Sequence, residues 1–171
     1  MVLVSRPPTP VRTGGISMPA SENDTLYDLG LHILTSIQEI FAREGVALPV
    51  RQFVTAGMPA QDCEQVTVAF QQTYIGPPGD EASLPQRCDG PRSASYQIAI
   101  TRCITTVDSR NNVPTPQQIQ KDAQTLMRDA WILMTCIKEV DDYLGVIVTL
   151  EASDAQGGLQ STMMTLTLGV V

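Results

Sequence analysis

Hydrophobic and polar positions alternate with a period of two along two stretches of the chain. In 64–74, Val66, Val68, Phe70 and Tyr74 fall on one face and Thr67, Ala69, Gln71 and Thr73 on the other. In 95–105, Tyr96, Ile98, Ile100 and Ile104 oppose Gln97, Ala99, Thr101, Cys103 and Thr105. The pattern predicts two long strands, each with a bulky apolar face and a small, Thr-rich one. A sheet of such strands packs helices on its bulky face and offers the other to water or to a second protein.

A period of 3.6 marks two helices. In the first, Leu26, Leu29, Gly30, Ile33, Ile37, Ile40 and Phe41 form one stripe, widened by Leu34; Asn23 or Asp24 can cap it and Gly45 stops it. His32 falls with Asp28, Thr35 and Glu39 on the opposite face. The second helix opens at Thr115-Pro116-Gln117-Gln118, with Thr115 as N-cap, Pro116 at the first helical position and Gln118 completing a capping box. Its stripe is Ile119, Ala123, Leu126, Ala130, Leu133, Met134 and Ile137, with Lys121, Asp122, Arg128 and Asp129 off it and Trp131 at its border.

Three further segments read as strands. Val50–Ala56 alternates weakly, and Gly57-Met58-Pro59 then turns the chain into the long hairpin. Residues 146–151 and 162–168 form a second hairpin around the turn Asp154–Gly158. Its closing strand carries no charge, so it is either central in the sheet or covered by a neighbouring subunit. The order predicts an α+β fold, with a mixed or antiparallel sheet of four to five strands and the two main helices packed on one face. Residues 1–21 combine Arg6 and Arg12 with Pro7-Pro8, Pro10, Gly14-Gly15 and Pro19, which holds neither helix nor central strand. They read as a flexible N-terminal arm, and 22–171 as a single domain.

At 171 residues the chain has room for one real core. Charged residues make up only 17% and the net charge is −7, which excludes a general nucleic-acid surface, because neutralising phosphates takes clustered Lys and Arg. An acidic wall that repels DNA without reading it fits the same balance. No apolar run approaches the roughly 18 residues that span a bilayer, and 1–20 has no continuous apolar core of the signal-peptide kind.

The chemistry of common sites is missing from the pattern. There is no Gly-rich phosphate loop, no His/Cys metal spacing and no nucleophile with a base nearby in sequence, so no cofactor or metal is called for. Asp141-Asp142 and Asp80-Glu81 read as solvated carboxylates. Cys63 opens the first long strand and Cys88 precedes the second, so a Cys63–Cys88 disulfide would pin the long loop; Cys103 and Cys136 read as buried thiols. A thiol enzyme using Cys63, Cys88 or Cys103 with His32 is disfavoured, since the single histidine lies on a polar helix face without a positioned partner.

The run Asp62-Cys63-Glu64-Gln65-Val66-Thr67-Val68, then Arg87-Cys88-Asp89-Gly90-Pro91, Ile100-Thr101-Arg102-Cys103, and Thr115-Pro116 opening a helix that ends near Cys136 together resemble a family from phages of actinobacteria. Those proteins belong to the head-to-tail connection of long-tailed phages and are similar to tail terminators. The resemblance covers 57–137. It implies a structural virion protein rather than an enzyme, located at the head–tail junction and made in the host cytoplasm. Such a subunit forms a homo-oligomer, a hexameric ring, that caps the tail tube and joins it to the head-completion or connector protein. DNA passes through without sequence-specific binding, and no membrane is involved. A head-completion protein or a tail-tube subunit is the alternative. On this reading the loop from Gly76 to Ser93 is an assembly loop, with Gly76, Pro77, Asp80, Glu81, Arg87 and Arg92 as its candidate contact residues, and the arm 1–21 shares in the contacts.

Overall fold

The computed structural model describes residues 22–79, 91–107, 109, 111–139 and 146–170, except the side chains of 22–24, 139, 146 and 147. The elements run α1 (Glu22–Arg43), β1 (Arg51–Ala56), β2 (Gln65–Ile75), β3 (Arg92–Cys103), α2 (Pro116–Glu139), β4 (Val146–Ala152) and β5 (Leu159–Val170). The strands form one mixed sheet in the order β1-β2-β3-β5-β4. β1 runs parallel to β2 and every other pair is antiparallel. This is the expected α+β fold.

Both helices cover one face. Ile33, Ile37, Ile40 and Phe41 of α1 and Ile132, Leu133 and Cys136 of α2 form one buried cluster with Val66, Val68, Tyr96, Ile98, Ile100, Met164, Leu166 and Leu168. The helix ends follow from local chemistry. α1 begins at Glu22, so Asn23 and Asp24 lie in its first turn rather than ahead of it. It stops at Gly45, whose φ of 62° suits glycine, with Gly45 N–H donating to the Ala42 carbonyl (3.2 Å) and Val46 N–H to the Phe41 carbonyl (3.0 Å). At the start of α2 the Gln118 N–H donates to Thr115 Oγ1 (3.3 Å) while the Thr115 N–H donates to Gln118 Oε1 (2.8 Å), the reciprocal pair predicted from sequence.

Two face assignments need correction. Tyr74 does not share a face with Val66, Val68 and Phe70. Phe70 pairs with Tyr96 but Gln72 with Ser95, so Gln71 is an extra residue, and beyond this β-bulge Tyr74 pairs with Ser93 on the opposite face. On α2, Ile119 and Met134 are exposed, while Ile132 and Cys136 are buried with Leu126, Asp129 and Leu133. The buried face therefore runs through Asp129, because that carboxylate has a cationic partner beneath it.

The uncharged closing strand β5 is central, flanked by β3 and β4. The edges are β1 and β4. The Thr-rich face is not open to water at its centre, where Gln65, Thr67, Ala69, Ala99 and Thr101 are all buried. The 57–64 connection accounts for part of this. It links two parallel neighbours with far fewer than the dozen or so residues usual for such a crossover. Gln61 Oε1 accepts from Ser161 Oγ (3.0 Å), which in turn meets Thr101 Oγ1 (2.8 Å), so the connection lies against this face.

Candidate functional site

The long loop leaves the sheet through a narrow neck. The Gly76 N–H donates to the Pro91 carbonyl (2.7 Å), Ser93 Oγ donates to the Gly76 carbonyl (2.7 Å), and the Gly79 N–H donates to the Tyr74 hydroxyl (3.2 Å). Gly76 (φ 142°) and Gly79 (φ 95°) take conformations that favour glycine. The neck brings together Gly76, exposed Pro77 and exposed Arg92, the last at the start of β3 opposite Ile75. Asp80, Glu81, Arg87 and Cys88 lie outside the described residues, as do Asp141 and Asp142.

Cys63 is bonded to Cys103, not to Cys88. The two Cα atoms are 5.1 Å apart. The register explains the pairing: Gln65 faces Thr101, so the residue two before Gln65 meets the residue two after Thr101. Cys88 precedes Arg92, at the other end of the hairpin, and β2 extends for roughly 35 Å between the two ends. Cys103 is thus an exposed disulfide partner rather than a buried thiol, and Cys136 is the buried thiol expected. The bond ties the 57–64 connection to β3 beside an exposed ion pair between Arg51 and Asp62.

Beneath the same corner, on the helix side, lies a buried ionic cluster that sequence reasoning missed. Arg102 Nε and Nη2 donate to Asp129 Oδ2 and Oδ1 (2.8 Å each), Nη1 donates to Glu64 Oε2 (2.6 Å), and the guanidinium sits 5.8 Å from the centre of the Phe41 ring. The Asp129 side chain is fully buried and that of Arg102 nearly so. Burial pushes the Asp129 carboxyl above its ordinary value, with Arg102 pulling it back. Burial disfavours the Arg102 cation, but its bonds to Asp129 and Glu64 outweigh this and hold it above its ordinary value. The cluster joins β3, α2 and the end of the 57–64 connection. A carboxylate held bidentately by an arginine in this way is a structural clamp rather than a proton donor.

Two apolar features mark the surface around α2. Met127 (73% exposed), Trp131 (57%) and Met134 (50%) stand one turn apart on the outer side of α2. Trp131, expected at the edge of the core, is thus part of an exposed stripe. Beside it a groove of about 580 Å³ separates the first half of α2 from β4, lined by apolar groups such as Ile104, Ile119, Leu126, Ala130 and Leu150 together with Asp122 and Glu151. Asp122 also accepts from the Thr105 N–H (2.7 Å), which fixes its position at the groove.

Among the described residues, no group of three or more His, Cys, Asp and Glu is placed to hold a metal ion. His32 is exposed on α1, and no described helix is long and apolar enough to cross a membrane. No protein-family model matches the chain, and no curated protein matches it.

Proposed function

We propose that the protein is a structural component of a phage head-to-tail junction, a tail terminator whose copies form a ring that caps the tail tube and joins it to the head connector. The observation that carries this reading is the exposed stripe Met127, Trp131 and Met134 running beside an apolar groove at an edge strand. Contiguous apolar surface of this kind marks a protein contact, and a stripe on one side of a subunit suits the heterologous contacts that close rings. The sequence resemblance over 57–137 supplies the particular assembly. Two further properties support it: a net charge of −7 suits a channel that lets DNA slide through unread, and the Cys63–Cys103 disulfide suits a particle that ends outside the cell. On this reading the protein is no enzyme, and its partners are copies of itself, the tube protein and the connector.

Electron microscopy of lysates from a phage lacking this gene tests the proposal. Overlong tails without heads are expected, because tube growth then has no terminator. Tails of normal length beside unattached heads would assign a head-completion role instead, and ordinary infectious particles would overturn the assembly reading.

A further inference from the structure

We infer that residues 58–63 form a flap over the small-residue face of the sheet and that the Cys63–Cys103 disulfide is its latch, shut when oxidised and released when a dithiol reductant opens the bond. The groups beneath give the flap its bias. The amide of Gln65 and the hydroxyl of Thr67 are buried with no hydrogen-bond partner among the described residues. Such groups cost free energy for as long as they are kept from water, so their hydration favours lifting the flap.

The path of the chain places the flap over them. β1 ends at Ala56, level with Phe70, and β2 begins at Gln65, so 57–64 runs back along β2. On the way Gln61 reaches Ser161 on β5, beyond both β2 and β3, and Ser161 meets Thr101, the partner of Gln65. The segment therefore crosses the face that holds Gln65 and Thr67.

Little besides the disulfide holds it down. No residue of 57–64 is fully buried, and neither Met58 nor Pro59 joins the core cluster. The Gln61–Ser161 bond is a single neutral one, and the Arg51–Asp62 pair is exposed, where ion pairs add little. The two ends, by contrast, are anchored and shaped to turn. The Gly57 N–H donates to the Phe70 carbonyl (2.8 Å), the Arg51 N–H donates to the Glu64 carbonyl (3.1 Å), and the Glu64 carboxylate accepts from Arg102. Gly57 (φ 72°) and Glu64 (φ 54°) both lie in the left-handed region, which is free for glycine and strained for glutamate. A segment with few apolar contacts between fixed hinges opens as a local unit and leaves the rest folded.

The bond is placed for attack, since Cys103 is exposed and Cys63 half-buried. A thiolate of the dithiol attacks the Cys103 sulfur, the S–S bond breaks, and its electron pair leaves on the Cys63 sulfur, which takes up a proton. The second thiol of the reductant then displaces Cys103, so the reductant leaves as a disulfide and the chain keeps two thiols. The inference concerns the chain itself and does not rest on the terminator reading.

The full chain carrying Thr67→Cys tests it. One portion is reduced with dithiothreitol and freed of it, another is left oxidised, and both are pulsed with N-ethylmaleimide and mapped by mass spectrometry. Alkylation at position 67 should be at least about tenfold faster in the reduced portion, with Cys136 in the core protected in both. With residue 67 intact, the chain carrying Cys63→Ser and Cys103→Ser should oxidise at Met58 with hydrogen peroxide about threefold faster than the disulfide-bonded parent, while buried Met164 stays unreacted. Should Thr67→Cys expose Cys136 even when oxidised, the Met58 comparison alone decides. Equal rates with and without the disulfide would overturn the inference. Cys136 or Met164 reacting in step with the flap once the bond is gone would also overturn it, since the bond would then hold the whole fold rather than a flap.

Discussion

Arg102 on β3 and Asp129 on α2 are joined by two parallel N–H···O bonds of 2.8 Å each, in a site where neither side chain meets much water. Removing one partner of such a pair leaves a buried charge uncompensated, which costs about 3–5 kcal/mol, whereas replacing both with apolar groups is close to neutral. Arg102→Met should therefore lower unfolding stability by that amount. Adding Asp129→Leu should recover most of it, since Glu64 is 39% exposed and can turn to water. Urea unfolding of the two variants checks this, and equal losses in both would refute the clamp.

The same pair sets a pH dependence with a definite sign. Burial already raises the Asp129 carboxyl in the folded chain, and Arg102 is what opposes it. In Arg102→Met the folded value rises further. A carboxyl raised on folding holds its proton more tightly in the folded state, so its contribution is fully present below the unfolded value and lost as pH rises through the folded one. The stability deficit of Arg102→Met should be largest near neutral pH and shrink as pH falls toward the ordinary aspartate range. A deficit that stays constant over that interval would show that the lost stability does not come from the Asp129 charge.

The Cys63–Cys103 bond closes a loop with a sequence separation of 40, for which chain entropy in the unfolded state gives about 3–5 kcal/mol, less any native distortion. Cys63→Ser, Cys103→Ser and reduction of the parent should each lose a similar amount, and reduction should do nothing further to either variant. Peptide mapping without reductant should recover Cys63 linked to Cys103. A peptide linking Cys63 to Cys88 would contradict the register of the hairpin.

Gly30 sits in α1 where a Cβ would come within 2.7 Å of Val54 Cγ1. Alanine is favoured over glycine inside a helix by roughly 0.5–1 kcal/mol, but forcing a methyl into a packed core costs about 1–3 kcal/mol, and a β-branched valine has little room to turn away. Gly30→Ala is thus expected to be net destabilising, and Gly30→Ala with Val54→Ala should regain part of the loss. Thermal unfolding reads both, and a stabilised single variant would mean that β1 yields to α1.

Which of these features the sequence discloses depends on whether they obey a period. Val66, Val68 and Phe70 against Thr67 and Ala69 were legible, because the face that packs on the helices takes bulky apolar side chains and the other takes small ones, although both are buried there. Thr115 and Gln118 were legible because a capping box is local chemistry. Tyr74 was not, since a bulge at Gln71 shifts the phase without a compositional mark. That one residue also decides the disulfide: extending the loop-end pairing of Ile75 with Arg92 unbroken would set Cys63 against Ile104, and the extra residue sets it against Cys103. The ionic clamp did leave a trace. Arg102 follows Ile98 and Ile100 in the apolar phase of β3, and Asp129 lies between Leu126 and Leu133 on α2, so each charge interrupts a buried face and needs the other. The groove had no such trace, because it forms from segments far apart in sequence.

The stripe on α2 gives the most direct test of assembly. Trp131 and its neighbours one turn either side, Met127 and Met134, are each at least half exposed, so they add little to the core of the single chain. Aromatic side chains at the centre of a contact often contribute 2 kcal/mol or more to binding, roughly a thirtyfold change in affinity. Trp131→Glu places a charge there and should weaken self-association by at least that factor. Its effect on unfolding of the isolated chain should stay within about 0.5 kcal/mol, as for other surface substitutions. Sedimentation velocity against concentration measures the first quantity and urea unfolding the second. Unchanged association would remove this stripe from the proposed ring contact, while a large loss of stability would mean that Trp131 supports the fold instead.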